Sequence, residues 1–165
     1  MTAPEWAGGD FRQPPRTDGG VGLCGACSKT GECRLGLTSE QLGEDGIVHF
    51  DIICPPGHEG GPGVAHGGWT AGVLDEVLGH VPILHGQMTV TGTLTVRFLK
   101  PVPIDRPLVA RSWVEEIEGK KWHLAGELVL ASSDAKLAVA TGIFIARDKT
   151  AHFDDFAEWL AEQSE

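Results

Sequence analysis

The chain has 165 residues, 41% of them apolar, and a formal net charge of −10. That length suits one domain with a real core, and the acidic balance argues against non-specific binding to nucleic acid or to an anionic membrane. No apolar run reaches the roughly 18 residues a membrane span needs, and residues 1–20 lack a basic start followed by an apolar stretch, so a cytoplasmic protein is expected.

Residues 1–20 are rich in Pro, Gly and polar side chains and are expected to form a flexible N-terminal segment. Cys24, Cys27 and Cys33 follow. Cys24-x2-Cys27 has zinc-ligand spacing, but a structural zinc site usually repeats that pair further on. Only Cys33, Cys54 and His58 are placed to complete it. No metal is therefore expected. The cysteines read as small packing residues in a Gly-rich turn, and disulfides are not expected in a reducing compartment. A redox or zinc module stays open as a competing reading.

GIVHFDIIC, residues 46–54, reads as a strand, and PPGHEGGPG, residues 55–63, as a shaped loop. In the segment after it, Val73, Leu74, Val77, Leu78 and Val81 fall at helical spacing, and Pro82 is expected to stop the helix. TVTGTLTVRF, residues 89–98, alternates. Thr89, Thr91, Thr93, Thr95 and Arg97 are expected on one face, with Val90, Leu94, Val96 and Phe98 on the other. Strands are also expected over 108–117, 122–132 and 136–147, with a hairpin at Gly119, Lys120 and Lys121. Residues 149–165 read as a short amphipathic helix with Phe153, Phe156, Ala157 and Leu160 on one side. The pattern predicts an α+β domain over residues 21–148: four antiparallel strands joined by short turns follow one buried helix, and a long twisted sheet curls around that helix.

Within the helix, Gly67 and Gly68 occupy the first turn, where backbone N–H groups lack intrahelical partners and glycine permits close approach. The helix dipole adds positive potential there, which suits a developing oxyanion. Asp75 lies among Leu74, Val77 and Leu78, a costly place for a carboxylate unless it is hydrogen-bonded or functional. The bland alternative is that Asp75 and Glu76 form a solvated stripe and that the glycines relieve crowding. Nine residues of helix span about 13 Å and turn a side chain by roughly 180°. His66 or Gly67 therefore cannot meet Asp75 of the same chain at one carbonyl, and joint action requires two subunits.

HEGGPGVAHGGWTAGVLDEVLG (58–79), VTGTLTVRFLKPVP (90–103) and the N-terminal LCGACSKTGECRLGL together resemble the hotdog-fold acyl-CoA thioesterases. The similar branch contains the PaaI, 4-hydroxybenzoyl-CoA and mammalian thioesterase-superfamily-member enzymes. The resemblance covers roughly residues 23–147 and implies a hotdog fold, a homodimer or dimer of dimers, and hydrolysis of a fatty or aromatic acyl-CoA, with CoA as part of the substrate and no cofactor or metal. It implies Asp75 as nucleophile or general base, Gly67 N–H as the oxyanion donor, His66 as support for that loop, and Thr91 as the hydroxyl on the following strand. Where some relatives carry Asn or Gln before His-Gly-Gly, this chain has Glu59 and Gly60.

Gly68 adjoins the same turn, and Trp69 reads either as a wall of the acyl pocket or as interface filler. Lys100, Lys120 and Lys121 are the bases expected to meet the CoA phosphates. Two alternatives stay open: an acyl-CoA-binding module without hydrolysis, and a hotdog hydratase or dehydratase. The second is suggested by Asp75-x4-His80 but lacks the loop motif of that group.

Overall fold

The computed structural model describes residues 14–163. Two 3-10 turns, six strands and two α-helices appear in it: β1 (Leu37–Leu42), β2 (Val48–Ile53), α1 (Gly67–Leu84), β3 (Thr89–Phe98), β4 (Pro107–Glu118), β5 (Lys121–Leu130), β6 (Lys136–Ala146) and α2 (Lys149–Glu162). The strands form one antiparallel sheet in the order β1-β2-β4-β5-β6-β3. This is the expected hotdog arrangement, with α1 packed against β3, β4, β5 and β6.

Val73, Leu74, Val77, Leu78 and Val81 of α1 are wholly buried, against a sheet face carrying Phe50, Trp122, Leu128 and Phe144. Each such side chain contributes roughly 1.5–3 kcal/mol. Ser112 of β4 donates its hydroxyl to the Val77 carbonyl at 2.8 Å and pins the helix to the sheet. Gly126 allows the close approach: a Cβ there would lie 2.6 Å from Leu78 Cδ1 and 2.9 Å from the Arg111 carbonyl oxygen.

The structure differs from the sequence reading in several places. Pro82 does not stop α1, which runs on to Leu84. Proline forfeits one hydrogen bond to the preceding turn, but Val81 and Pro82 are buried against the sheet, and the turn closes with Gln87 N–H donating to the Pro82 carbonyl at 2.9 Å. A sixth strand, β1, was not expected. Its Thr-Ser-Glu-Gln centre lacks a β signature, and it forms as an edge strand by pairing with β2.

Third, β3 is no hairpin partner of β4. It crosses to the far edge and pairs with β6. Fourth, the alternation in β3 breaks at Gly92. Thr91 faces Phe144 and Thr93 faces Ile143, so Gly92 is an extra residue, a β-bulge that reverses the faces. Before it, Thr89 and Thr91 turn towards α1. After it, Leu94 and Val96 pack on the core while Thr93 and Thr95 look outward.

The β4–β5 hairpin turns on Gly119 and Lys120 alone, with Gly119 at φ 57° and Lys121 already in β5. Residues 1–13 and 164–165 of the predicted terminal segments lie outside the described residues. Residues 14–22, where loose order was expected as far as residue 20, form a turn closed by an Arg16–Gly22 bridge. α2 is capped by the Asp148 side chain, which accepts from Ala151 N–H at 2.8 Å. None of its residues is buried, and Phe153, Phe156, Trp159 and Leu160 stand about half exposed.

Candidate active site

α1 begins with His66 as its N-cap. The His66 ring Nδ1 accepts from Gly68 N–H at 2.9 Å, and its carbonyl accepts from Trp69 N–H at 3.0 Å and Thr70 N–H at 3.2 Å. Three of the four orphan donors of the first turn are thus used. Gly67 N–H has no acceptor among the described residues. Capping by His66 therefore leaves one N–H at the positive end of the helix without a partner among the described residues, on a glycine that lines a groove. That groove, about 350 Å³, is lined by Gly67, Thr70, Phe98, Leu99 and Lys100.

The loop before it is tightly held. Glu59 Oε1 accepts from Gly63 N–H at 2.5 Å, and Gly60 sits so close to His66 that a Cβ would come within 2.9 Å of the His66 Cα.

Two turns along α1, Asp75 lies half-buried in a second cavity of about 380 Å³. Thr91 Oγ1 donates to Asp75 Oδ1 at 2.8 Å. The bulge at Gly92 makes this contact, because it turns Thr91 inward where unbroken alternation would group it with Thr93 and Thr95. Asp75 has no other side-chain partner among the described residues, so its second oxygen is open to a ligand or water.

The same cavity is walled by Cys24, Glu76, His80, Phe144 and, from α2, Phe153. Behind it lies a buried ion cluster that sequence reasoning missed. His80 Nε2 contacts Glu76 Oε1 at 2.9 Å, His80 Nδ1 contacts Glu40 Oε1 at 3.1 Å, and Arg16 stands 3.7 Å from Glu40 Oε2. Burial disfavours the imidazolium, but the hydrogen bonds and charges of Glu40 and Glu76 outweigh it and hold His80 at about 9. Burial likewise works against the Glu76 carboxylate, and its bond to His80 prevails, keeping it below its usual range. The i,i+4 spacing of Glu76 and His80 was visible in the sequence; Glu40 was not, since β1 was not foreseen. Nε2 is hydrogen-bonded to Glu76, while Nδ1 lies against Glu40 without a well-formed hydrogen bond, so His80 is engaged with these carboxylates and makes no contact with Asp75 among the described residues.

The remaining expected residues fall in different places. Lys100 lines the Gly67 groove. Lys120 and Lys121 sit at the β4–β5 turn and line neither cavity, whereas Lys149 of α2 borders the Asp75 cavity. Trp69 is 3% exposed and lines neither; its indole N–H donates to the Leu35 carbonyl at 3.1 Å and anchors the loop before β1. Gly68 supports the cap through His66. Among the described residues, no three His, Cys, Asp or Glu side chains are grouped to hold a metal ion, and no helix is long and apolar enough to cross a membrane.

Residues 62–134 match the thioesterase superfamily. Human acyl-coenzyme A thioesterase THEM5 is 27% identical in an alignment 130 residues long that covers 72% of this chain and 53% of that protein. A solved thioesterase superfamily protein is 28% identical with a TM-score of 0.60, covering 64% of this chain and 52% of the other. The fold is also shared with a hypothetical thioesterase of Streptococcus pneumoniae solved with coenzyme A, at 19% identity and a TM-score of 0.62, over 67% of this chain and 88% of that one. The chain spans about half the length, or less, of the curated relatives it matches.

Proposed function

We propose that this chain hydrolyses the thioester of an acyl-CoA, with a carboxylate from one subunit and a backbone N–H from another. The observation that carries the reading is the Asp75–Thr91 hydrogen bond, which holds a half-buried carboxylate with one oxygen free at the wall of a cavity. The name of the human relative, an acyl-coenzyme A thioesterase, supports the substrate class.

Within one chain Asp75 and Gly67 open on different cavities. β3 supplies the means to join them. Among the described residues it ends the sheet with one side unpaired, and a long free edge is a template for another strand. Thr91, beside Asp75, is near its start; Phe98, whose ring lies 3.8 Å from a Cβ built on Gly67, is its last residue. Antiparallel pairing of β3 with β3 of a second copy, centred between Leu94 and Thr95, sets the start of one strand against the end of the other. Asp75 of one subunit then approaches Gly67 of the other, twice per dimer. Phe98 and Leu99, 58% and 43% exposed here, become covered.

In that site Gly67 N–H binds the thioester oxygen and stabilises the negative charge that develops on it. Asp75 either attacks the carbonyl carbon or takes a proton from the attacking water. Thr91 orients the carboxylate. As a base, Asp75 returns the proton taken from water to the departing sulfur as the C–S bond breaks; as a nucleophile, it forms an acyl anhydride that water then hydrolyses, and the CoA thiolate takes its proton from solvent. Lys100 lines the Gly67 groove and Lys149 the Asp75 cavity, which supports these two as the cations that meet the CoA phosphates.

Thiol release from short, long and aromatic acyl-CoAs, with wild type and Asp75→Asn side by side, tests the reading. Hydrolysis of at least one substrate, lost in the variant, is expected. Binding without hydrolysis across the panel would establish an acyl-CoA-binding module instead, and unchanged hydrolysis by Asp75→Asn would overturn the assignment of the carboxylate.

A further inference from the structure

The segment 22–25 that closes the Asp75 cavity carries an exposed thiol, Cys24, on the cavity wall. It is fixed from behind: Gly22 N–H donates to Glu40 Oε2 at 2.8 Å and Leu23 N–H to the Pro15 carbonyl at 2.8 Å. Immediately after it the chain makes one helical turn, in which Ser28 N–H donates to the Cys24 carbonyl at 2.9 Å. That turn brings Cys27 back beneath Cys24. The Cys27 thiol lies within hydrogen-bonding reach of the Cys24 sulfur; an ordinary i,i+3 Cβ separation of about 5–6 Å has to close by roughly 1–2 Å for a disulfide, a movement this short exposed turn can make.

The two thiols differ sharply. Cys27 is 4% exposed, and its sulfur accepts from Arg34 N–H at 3.3 Å. Cys24 is open to solvent. The Cys24 thiol is lowered from its ordinary value, chiefly because its sulfur accepts the Cys27 backbone N–H; burial and the Glu76 charge oppose this, and the Cys27 thiol adds a second hydrogen bond. Burial pushes Cys27 the other way. An exposed, readily ionised first cysteine with a buried partner three residues on is the arrangement that thiol–disulfide exchange requires.

We propose that Cys24 and Cys27 are a thiol–disulfide exchange site built into the wall of the Asp75 cavity, reacting with low-molecular-weight disulfides. The Cys24 thiolate attacks one sulfur of the disulfide R–S–S–R, forming a mixed disulfide and expelling RS⁻, which takes up a proton. Cys27 then loses its proton and attacks the Cys24 sulfur, closing the Cys24–Cys27 bond and expelling the second RS⁻. Two cysteines are oxidised by two electrons, and one small disulfide is reduced to two thiols. Oxidation removes the Cys24 thiol from the cavity wall and ties it towards the core. The exchange does not depend on the thioesterase reading; only its consequence for acyl-CoA hydrolysis does.

The full chain, reduced and then treated with oxidised glutathione, tests this by mass mapping of its disulfides. A Cys24–Cys27 bond, reversed by dithiothreitol, is expected. Cys27→Ser should stop at a glutathione adduct on Cys24. Iodoacetamide should alkylate Cys24 about tenfold faster than Cys33 in the untreated wild type. A bond to Cys33 in place of Cys24–Cys27, an unreacted Cys24, or equal alkylation of Cys24 and Cys33 would overturn the proposal. These readouts need no substrate, so their failure is distinct from a failure to hydrolyse acyl-CoA; hydrolysis by reduced and oxidised protein, measured in parallel, reports the coupling separately.

Discussion

At its start β3 lies beside a carboxylate held by a hydroxyl; at its end it lies beside a bare backbone N–H. Both partners belong to α1, yet they are built differently. The Gly67 end is local: a cap, two glycines and a helix terminus within a few residues. The Asp75 end is assembled from far parts of the chain, with Thr91 delivered by a bulge and a wall contributed by Cys24, Phe144 and α2. On the proposed reading one helix carries both halves of the site but cannot close it, because Asp75 and Gly67 face different cavities. Substitutions that disable each end separately are the way to break this contrast.

The largest effect is expected at the carboxylate. Asp75→Asn keeps the shape and removes the base or nucleophile, and kcat should fall by roughly 10³-fold in a thiol-release assay. Next comes the donor. Gly67 is the first residue of α1, where proline is well tolerated, and His66 at φ −58° and ψ 139° already has the conformation proline demands of its predecessor. Gly67→Pro therefore deletes the N–H and sets a ring carbon in its place, with the helix start retained. It should lower kcat by about 10²-fold with an unchanged circular dichroism spectrum. Mixing the two inactive variants under exchange conditions should restore about a quarter of wild-type activity, since half the dimers carry one intact shared site. No recovery would break the two-subunit arrangement.

A smaller effect is expected of Thr91→Val. It removes one hydrogen bond to Asp75, worth about 1 kcal/mol, so kcat should drop by roughly tenfold or less while KM stays near wild type. Sheet-face grouping alone would make Thr93→Val equivalent; the bulge predicts that Thr93→Val leaves turnover unchanged.

The ion cluster behind the cavity affects stability more than chemistry. His80 is held at about 9 in the folded chain against 6.5 for the ordinary side chain. The folded state keeps a proton that the unfolded state has lost, so this contribution is full below pH 6.5 and disappears as pH rises through about 9. Glu76 is lowered, so its contribution is present above 4.5 and is lost as pH falls through its depressed value. Thermal melts across pH should show a plateau between these limits, and Glu40→Gln should flatten the alkaline arm. An alkaline arm unchanged by Glu40→Gln would dismiss the cluster as its cause.

The helix and all five foreseen strands showed their period in residue type, and β2 to β6 begin and end within two residues of where alternation and turn residues placed them. The His-Gly-Gly start and the buried-side Asp75 were likewise legible, since capping and the burial of a carboxylate act over a few residues. β1 was not, because its polar centre is a strand only by virtue of β2.

Tertiary structure alone decided the rest. It carried α1 through Pro82, where burial outweighed one lost hydrogen bond. It placed the bulge that selects Thr91 from four threonines on one strand. It brought Glu40 to His80 and set Cys24 on the wall of the Asp75 cavity. Local patterns record what a residue prefers for itself and its neighbours. Contacts across 16 residues, as between Asp75 and Thr91, are set by how the sheet curls around the helix, and that is a property of the whole chain.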